Sequence, residues 1–315
     1  MDFVCGNIDR LITVGIRPMG VPRKNMAKLY ELCAKDAPVS FKIIRSLMER
    51  PGMKLGIFTG AALPGKFPNG ENDGPLGSAA LARALEQLGY DVTIYTEVEC
   101  IAGLREMQRI LHCKAPAVVL EKEAGCPQHR RLAAELDAAI TIEKVGVNAK
   151  GIQHSITGHS RNGVRAMMDG LIEEMNAMGK LTVGIGDGGN EIGFGNIYEE
   201  AREILPTGKT CVCGCGDGVV TATRVTHLYP VAISNWGAYA LCAGLAVWNK
   251  RPELAVTPEE EHRMLSESVP LGLADGGTGL FRYALDGIGG EASVACVRIL
   301  QELVMISLKT VSRDF

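Results

Sequence analysis

Leu181-Thr182-Val183-Gly184-Ile185-Gly186-Asp187-Gly188-Gly189-Asn190-Glu191-Ile192-Gly193 is the stretch on which the reading of this chain turns. An apolar run able to form a strand ends in a turn of glycines that carries Asp187, Asn190 and Glu191 within five positions. Packing alone does not need that composition. Glycine lets backbone come close to a ligand, and carboxylate and carboxamide oxygens are the hard donors that Mg²⁺ or Mn²⁺ prefers. The loop reads as a binding site first, although a tight strand-to-helix turn with no ligand would use the same letters.

Gly184-x-Gly186-x-x-Gly189 is also the pattern of a dinucleotide-binding turn. Such a turn presents N–H groups to a pyrophosphate, which Asp187 would repel, and an acidic residue on the ribose is expected about 20 residues later. Lys209-Thr210-Cys211-Val212-Cys213 occupies that stretch. Neither NAD nor FAD is expected.

Working outward, short apolar segments at 55–59, 92–96, 117–121, 139–143, 181–186 and 231–234 read as strands. Helical patterns at 78–88, 101–111, 129–136 and 163–178 lie between most of them, and another follows at 238–248. This alternation predicts an α/β fold, a mainly parallel sheet with helices on both faces in a Rossmann-like three-layer core. Ahead of it, Met26, Leu29, Leu32, Cys33 and then Val39, Ile43, Ile44, Leu47 have helical spacing. Residues 1–53 thus form an N-terminal helical segment and 54–315 the α/β domain, with 207–218 the place for any further subdivision.

The net charge of −3 gives no basic face for nucleic acid. No run of 18 or so apolar residues suggests a membrane span, and Asp2, Asp9 and Arg10 do not suit a signal peptide, so a cytoplasmic location is expected. The 10 cysteines, scattered through the chain, read as reduced and mostly buried thiols. Cys211-Val212-Cys213-Gly214-Cys215 is the exception, because alternate spacing on a strand would place its sulfurs on one face. No second pair or histidine follows at the spacing of a zinc site, so a soft-metal or redox role stays open.

Ligands of open parallel sheets bind beyond the carboxyl ends of the strands. Oxygen donors collect there. Gly60 opens a long loop that closes with Asp73, Gly74 and Gly77 before a helix; Asp73 suits an N-cap, and small residues at a helix N-terminus favour an anionic substrate group. Glu143 and Lys144 end another strand, as an ion pair, a metal ligand or an acid/base pair. Asn235 begins a helix, where its amide could fix a substrate or ligand carboxylate, and Asp275 repeats the aspartate-plus-glycine chemistry in a second loop, as a cation ligand or an Asx turn. His154 and His159 sit in a Ser/Gly-rich loop that, with the 60–72 loop, could form a lid.

Phe58-Thr59-Gly60, Asp73-Gly74-Pro75-Leu76-Gly77, Ile142-Glu143-Lys144-Val145-Gly146, the block Gly184 to Gly193, Ile233-Ser234-Asn235-Trp236-Gly237-Ala238-Tyr239-Ala240-Leu241 and Asp275-Gly276 follow one another in order. Together they resemble the C-terminal domain of D-glutamate cyclases. The resemblance implies an α/β fold and conversion of D-glutamate to 5-oxo-D-proline with loss of water. It extends to metal-dependent phosphatase-like proteins that stand alone as this domain. It implies a site built around Asp73, Glu143, Asp187, Asn190, Glu191, Asn235 and Asp275. Catalysis is expected from Glu143, Lys144 and Asp187. Substrate binding is expected from Gly60, Asp73, Gly74, Gly77, Asn190 and Asn235, and Mg²⁺ or Mn²⁺ binding from Asp187, Glu191 and Asp275. A Mn/Mg-dependent phosphatase and a non-catalytic small-ligand-binding domain are the alternatives. The cyclases carry a second domain ahead of this one, for which 315 residues leave no room. A homo-oligomer, or a separate chain replacing that domain, is therefore an expected partner besides the small anionic substrate.

Overall fold

Side chains alternate between two cores along every central strand, which is what a sheet covered on both faces requires. Leu55 and Ile57, Ile140 and Ile142, and Leu181, Val183 and Ile185 belong to one apolar cluster, whereas Phe58, Tyr95 and Ala139 belong to the other. The computed structural model describes residues 1–19, 25–60 and 62–309. Its strands are β1 (Lys54–Phe58), β2 (Asp91–Thr96), β3 (Ala117–Val119), β4 (Ala138–Ile142), β5 (Leu181–Gly186) and β6 (His227–Pro230), all parallel and in the order β3-β2-β1-β4-β5-β6. A hairpin of β7 (Ala284–Leu285) and β8 (Ile288–Gly289) stands apart from this sheet.

The helices are α1 (Asp2–Ile12), α2 (Met26–Cys33), α3 (Val39–Met48), α4 (Pro75–Gln87), α5 (Ile101–Leu111), α6 (Pro127–Glu135), α7 (Asp169–Ala177), α8 (Tyr198–Ile204), α9 (Ser234–Asn249), α10 (Pro258–Ser268) and α11 (Gly290–Ser307). Residues of α1, α3, α4, α5, α9, α10 and α11 share the first core; residues of α2, α6, α7 and α8 share the second. The result is an α/β three-layer fold. Its strand order reverses between β1 and β4, so the crevice beyond their carboxyl ends is the place where such a sheet takes a ligand.

Three features differ from the sequence reading. The last strand lies at His227–Pro230, not at 231–234, because Val231 N–H bonds Gly186 O at the end of the ladder and the chain then turns into α9. Residues 163–168 are not helical. Gly163 has φ +74° and Met167 N–H bonds Lys122 O, so α7 begins at Asp169. The helices α8, α10 and α11 lie outside the helical patterns read from the sequence, and α1 falls within the 1–53 helical segment without a pattern of its own.

Gly184 and Gly186 face the second core from β5, and their use is now visible. A Cβ on Gly184 would come within 2.1 Å of Ile192 O, and one on Gly186 within 2.8 Å of Glu191 Cβ. The pair lets the loop 187–193 fold back across its own strand.

Candidate functional site

That folded-back loop delivers Asp187 beside the end of β4. Oxygen atoms of Asp73, Glu143 and Asp187 lie within 4.8 Å of one another. Glu143 adopts φ +53°, a left-handed conformation uncommon for a residue with a side chain and often kept at functional sites. Burial, and then the neighbouring carboxylates of Asp187, Glu191, Asp73 and Glu71, hold the Glu143 carboxyl well above its usual range. Burial first, and Asp187 second, do the same to Asp73. Crowded acids of this kind disfavour one another's charge unless a cation joins them.

Each acid has a fixed orientation. Asp73 does not cap its own helix; it accepts from the first two N–H groups of α9, Ser234 at 3.1 Å and Asn235 at 2.7 Å. Glu143 accepts from Ser234 Oγ at 2.6 Å. Asp187 pairs with the buried guanidinium of Arg17, which also pairs with Asp286.

Beside Glu143 is a cavity of about 190 Å³, lined by Arg17, Glu143, Arg161, Arg165, Asn190 and Glu191 among others, whereas Asp73 and Asp187 are buried and are not among its lining residues. Leu63, Phe67 and Glu71 reach it from the 60–72 loop, whose Ala61 lies outside the described residues, and Ser155, Ile156 and Thr157 from the loop after β4. Both loops read as lids therefore form its walls. Arg161 and Arg165 lie close enough that burial and the like charge of Arg165 lower the Arg161 guanidinium from its usual range. The Nε atoms of Arg17, Arg161 and Arg165 are buried with no partner among the described residues. Donors left over in this way beside a polar cavity suit an anion.

The remaining expected residues take other places. Glu191 lines the cavity but lies outside the 4.8 Å group, and its Oε2 accepts from Gly188 and Gly189 N–H at 3.0 and 2.8 Å. Asn190 also lines it, with Nδ2 bonded to His154 O at 2.9 Å. Asn235 Oδ1 accepts from Gly74 and Gly77 N–H, both at 2.8 Å, so its amide holds the start of α4. Gly77 lets α4 approach α9, since a Cβ there would sit 2.9 Å from Ala238 Cβ. Gly74 (φ +100°) closes against Thr59 and Glu143, and Gly60 (φ +107°) against Thr96 and Glu97. These glycines shape the loop that carries Asp73.

Two of the expected residues make contacts of another kind. Lys144 pairs with the buried Glu97, which also accepts Ala166 N–H at 2.9 Å, so its amine is committed to a structural ion pair. Asp275 is bound by Thr278 Oγ1 at 2.6 Å, Gly287 N–H at 2.6 Å and Arg282 Nη2 at 3.0 Å, and organises its own loop rather than joining the acid cluster. Its neighbours Gly276 and Gly277 do line the cavity. His154 faces away toward Cys213 and His159 is exposed, so neither is a wall of the cavity.

Arg17, Glu71, Arg161, Arg165 and Asp286 were not singled out by the sequence reading. Arg161 and Arg165 carried a usable signal, two basic residues in a glycine-bearing loop beyond a strand's carboxyl end. Arg17 and Asp286 carried none, because only tertiary packing brings 17, 187 and 286 together.

The chain is 26% identical over 202 residues to the human (Homo sapiens) protein named D-glutamate cyclase, mitochondrial, an alignment covering 57% of this chain and 30% of that protein. The chain thus matches less than a third of its relative's length. A family model matches residues 22–303, and the chain belongs to the D-glutamate cyclase-like, C-terminal family.

Proposed function

We propose that this chain binds one divalent cation at Asp73, Glu143 and Asp187 and interconverts D-glutamate with 5-oxo-D-proline and water. The observation that supports this reading is that Glu143, one member of a tight carboxylate cluster, lines a small cavity together with Arg161 and Arg165. At about 190 Å³ the cavity falls below the roughly 300–1,000 Å³ of sites for drug-sized ligands. An amino acid suits it better than a nucleotide.

The donor set fits a hard cation, since all three groups offer carboxylate oxygens and two of them resist ionisation without a counter-charge. Held there, Mg²⁺ or Mn²⁺ would neutralise that charge and polarise a substrate carboxylate. In the reaction the α-ammonium gives up two protons and its nitrogen bonds C5. One C5 oxygen then leaves as water carrying both protons. Glu143 would move a proton, a role supported by its lining the cavity and by its hydrogen bond from Ser234 Oγ. Arg161 and Arg165, which line the same cavity, would clamp the α-carboxylate.

Nuclear magnetic resonance of purified protein with Mn²⁺ or Mg²⁺, run from D-glutamate and from 5-oxo-D-proline, tests the proposal, with a phosphomonoester as the parallel substrate. Interconversion of the first pair supports the cyclase reading. Phosphate release alone replaces it with metal-assisted hydrolysis, and silence in every arm removes the catalytic reading for this chain.

A further inference from the structure

A second cluster of ligating side chains lies outside the cavity. His154 Nε2 is 3.1 Å from Cys213 Sγ and 3.8 Å from Cys215 Sγ, and Cys211 Sγ is 3.2 and 3.3 Å from Cys213 and Cys215. All four donor atoms fall within 4.8 Å of one another. The cysteines are not on a strand. Gly214 and Gly216, at φ +78° and +77°, curl the segment so that its sulfurs converge, and the histidine arrives from a loop more than fifty residues earlier.

We propose that His154, Cys211, Cys213 and Cys215 form a structural zinc site. Three thiolates and an imidazole are a common closed tetrahedral set for Zn²⁺, and bonds of about 2.3 Å to sulfur imply donor separations of about 3.8 Å. Separations of 3.1 to 3.8 Å need only a small outward adjustment to match. The surroundings support ligation as well. His154 Nδ1 lies 3.1 Å from Ile152 O, which fixes the proton there and leaves the Nε2 lone pair facing the sulfurs. Asn148 Nδ2 lies 3.5 Å from Cys215 Sγ, a donor to a coordinated thiolate.

A disulfide explains less. It would join two of the sulfurs, leave the third over and give His154 no role. Soft thiolates also separate this site chemically from the acid cluster, whose oxygen donors favour hard cations.

The ion would tie the wall of the cavity to the 207–218 segment. Ser155, Ile156 and Thr157 follow His154 directly and line the cavity. Thr207 Oγ1 bonds Ile156 O at 2.9 Å and Val212 N–H bonds Gly158 O at 3.2 Å, so the zinc would complete a set of links that already exists.

The test is the metal content of the full chain purified under reducing conditions and dialysed, measured by plasma mass spectrometry. About one zinc per chain is expected, falling to below about a tenth in Cys211→Ser/Cys213→Ser and unchanged in Asp187→Asn. Exchange of wild-type zinc for Co²⁺ should give an intense sulfur-to-cobalt charge-transfer band. That spectrum needs no variant, so it decides the matter even where the double variant fails to fold. Wild-type protein lacking zinc and the cobalt band, zinc retained by a folded double variant, or zinc lost with Asp187→Asn would each overturn the proposal. None of these readings depends on catalysis, so the site stands or falls separately from the cyclase reaction.

Discussion

Asp73 and Asn235 each serve the N-terminus of the other's helix. The Asp73 carboxylate accepts from the first two N–H groups of α9, at 3.1 and 2.7 Å, while Asn235 Oδ1 accepts from Gly74 and Gly77 at the start of α4, both at 2.8 Å. A carboxylate at a helix N-terminus is favoured by the helix dipole, and here it also reaches the acid cluster. The two helices and Asp73 are positioned by one reciprocal set of contacts.

Asn235→Ala should therefore destabilise the fold by about 2–4 kcal/mol, because it leaves buried N–H groups of α4 and the carbonyl of Asn72 without their partner. Urea unfolding should show a lower midpoint with an unchanged slope. A midpoint equal to wild type would mean that the cross-capping contributes nothing.

Lys144→Met should cost about 3–5 kcal/mol, since it strands the Glu97 carboxylate in the interior. Adding Glu97→Gln should recover much of that loss. Equal stability of the single and double variants, measured by denaturant unfolding, would show that the pair is not a coupled structural unit.

His227 sets a pH dependence away from the site. Burial, then the charges of Lys42 and Arg45, lower its pKa from 6.5 to about 4. A depressed folded value means stability that is fully present above pH 6.5 and is lost as pH falls toward 4. Thermal melts across that window should fall more steeply for wild type than for His227→Gln. Parallel curves would remove His227 as the cause.

Arg165→Met should raise KM for the carboxylate substrate by roughly ten- to a hundredfold, the equivalent of about 1.5–3 kcal/mol for charge-assisted hydrogen bonds, with a smaller effect on kcat. Steady-state kinetics would reveal it. A fall in kcat alone would place this residue in the chemical step instead.

The parallel sheet was legible because its strands are apolar and separated by helix-length segments, and the site was legible where binding chemistry sits in a single short stretch. Glu143 and Asp187 directly follow strands whose ends the sheet gathers at one edge, and Asp73 closes the loop from β1 to α4. The place of Asp275 was not legible because an aspartate followed by glycines serves an Asx turn as well as it serves a cation. The Lys144 ion pair was not legible because its partner, Glu97, is distant in sequence and adjacent only across the sheet edge. His154 escaped the spacing rules for zinc ligands for the same reason, since the loop after β4 returns it to cysteines far along the chain.

Whether Asp73, Glu143 and Asp187 share one cation is decided by titrating Mn²⁺ into wild type, Asp187→Asn and Glu143→Gln while following free Mn²⁺ by electron paramagnetic resonance. Binding of one ion by wild type, lost or weakened at least about tenfold in both folded variants, is the predicted result. Equal Mn²⁺ binding by all three proteins, or none by wild type, would contradict a cation held by these carboxylates.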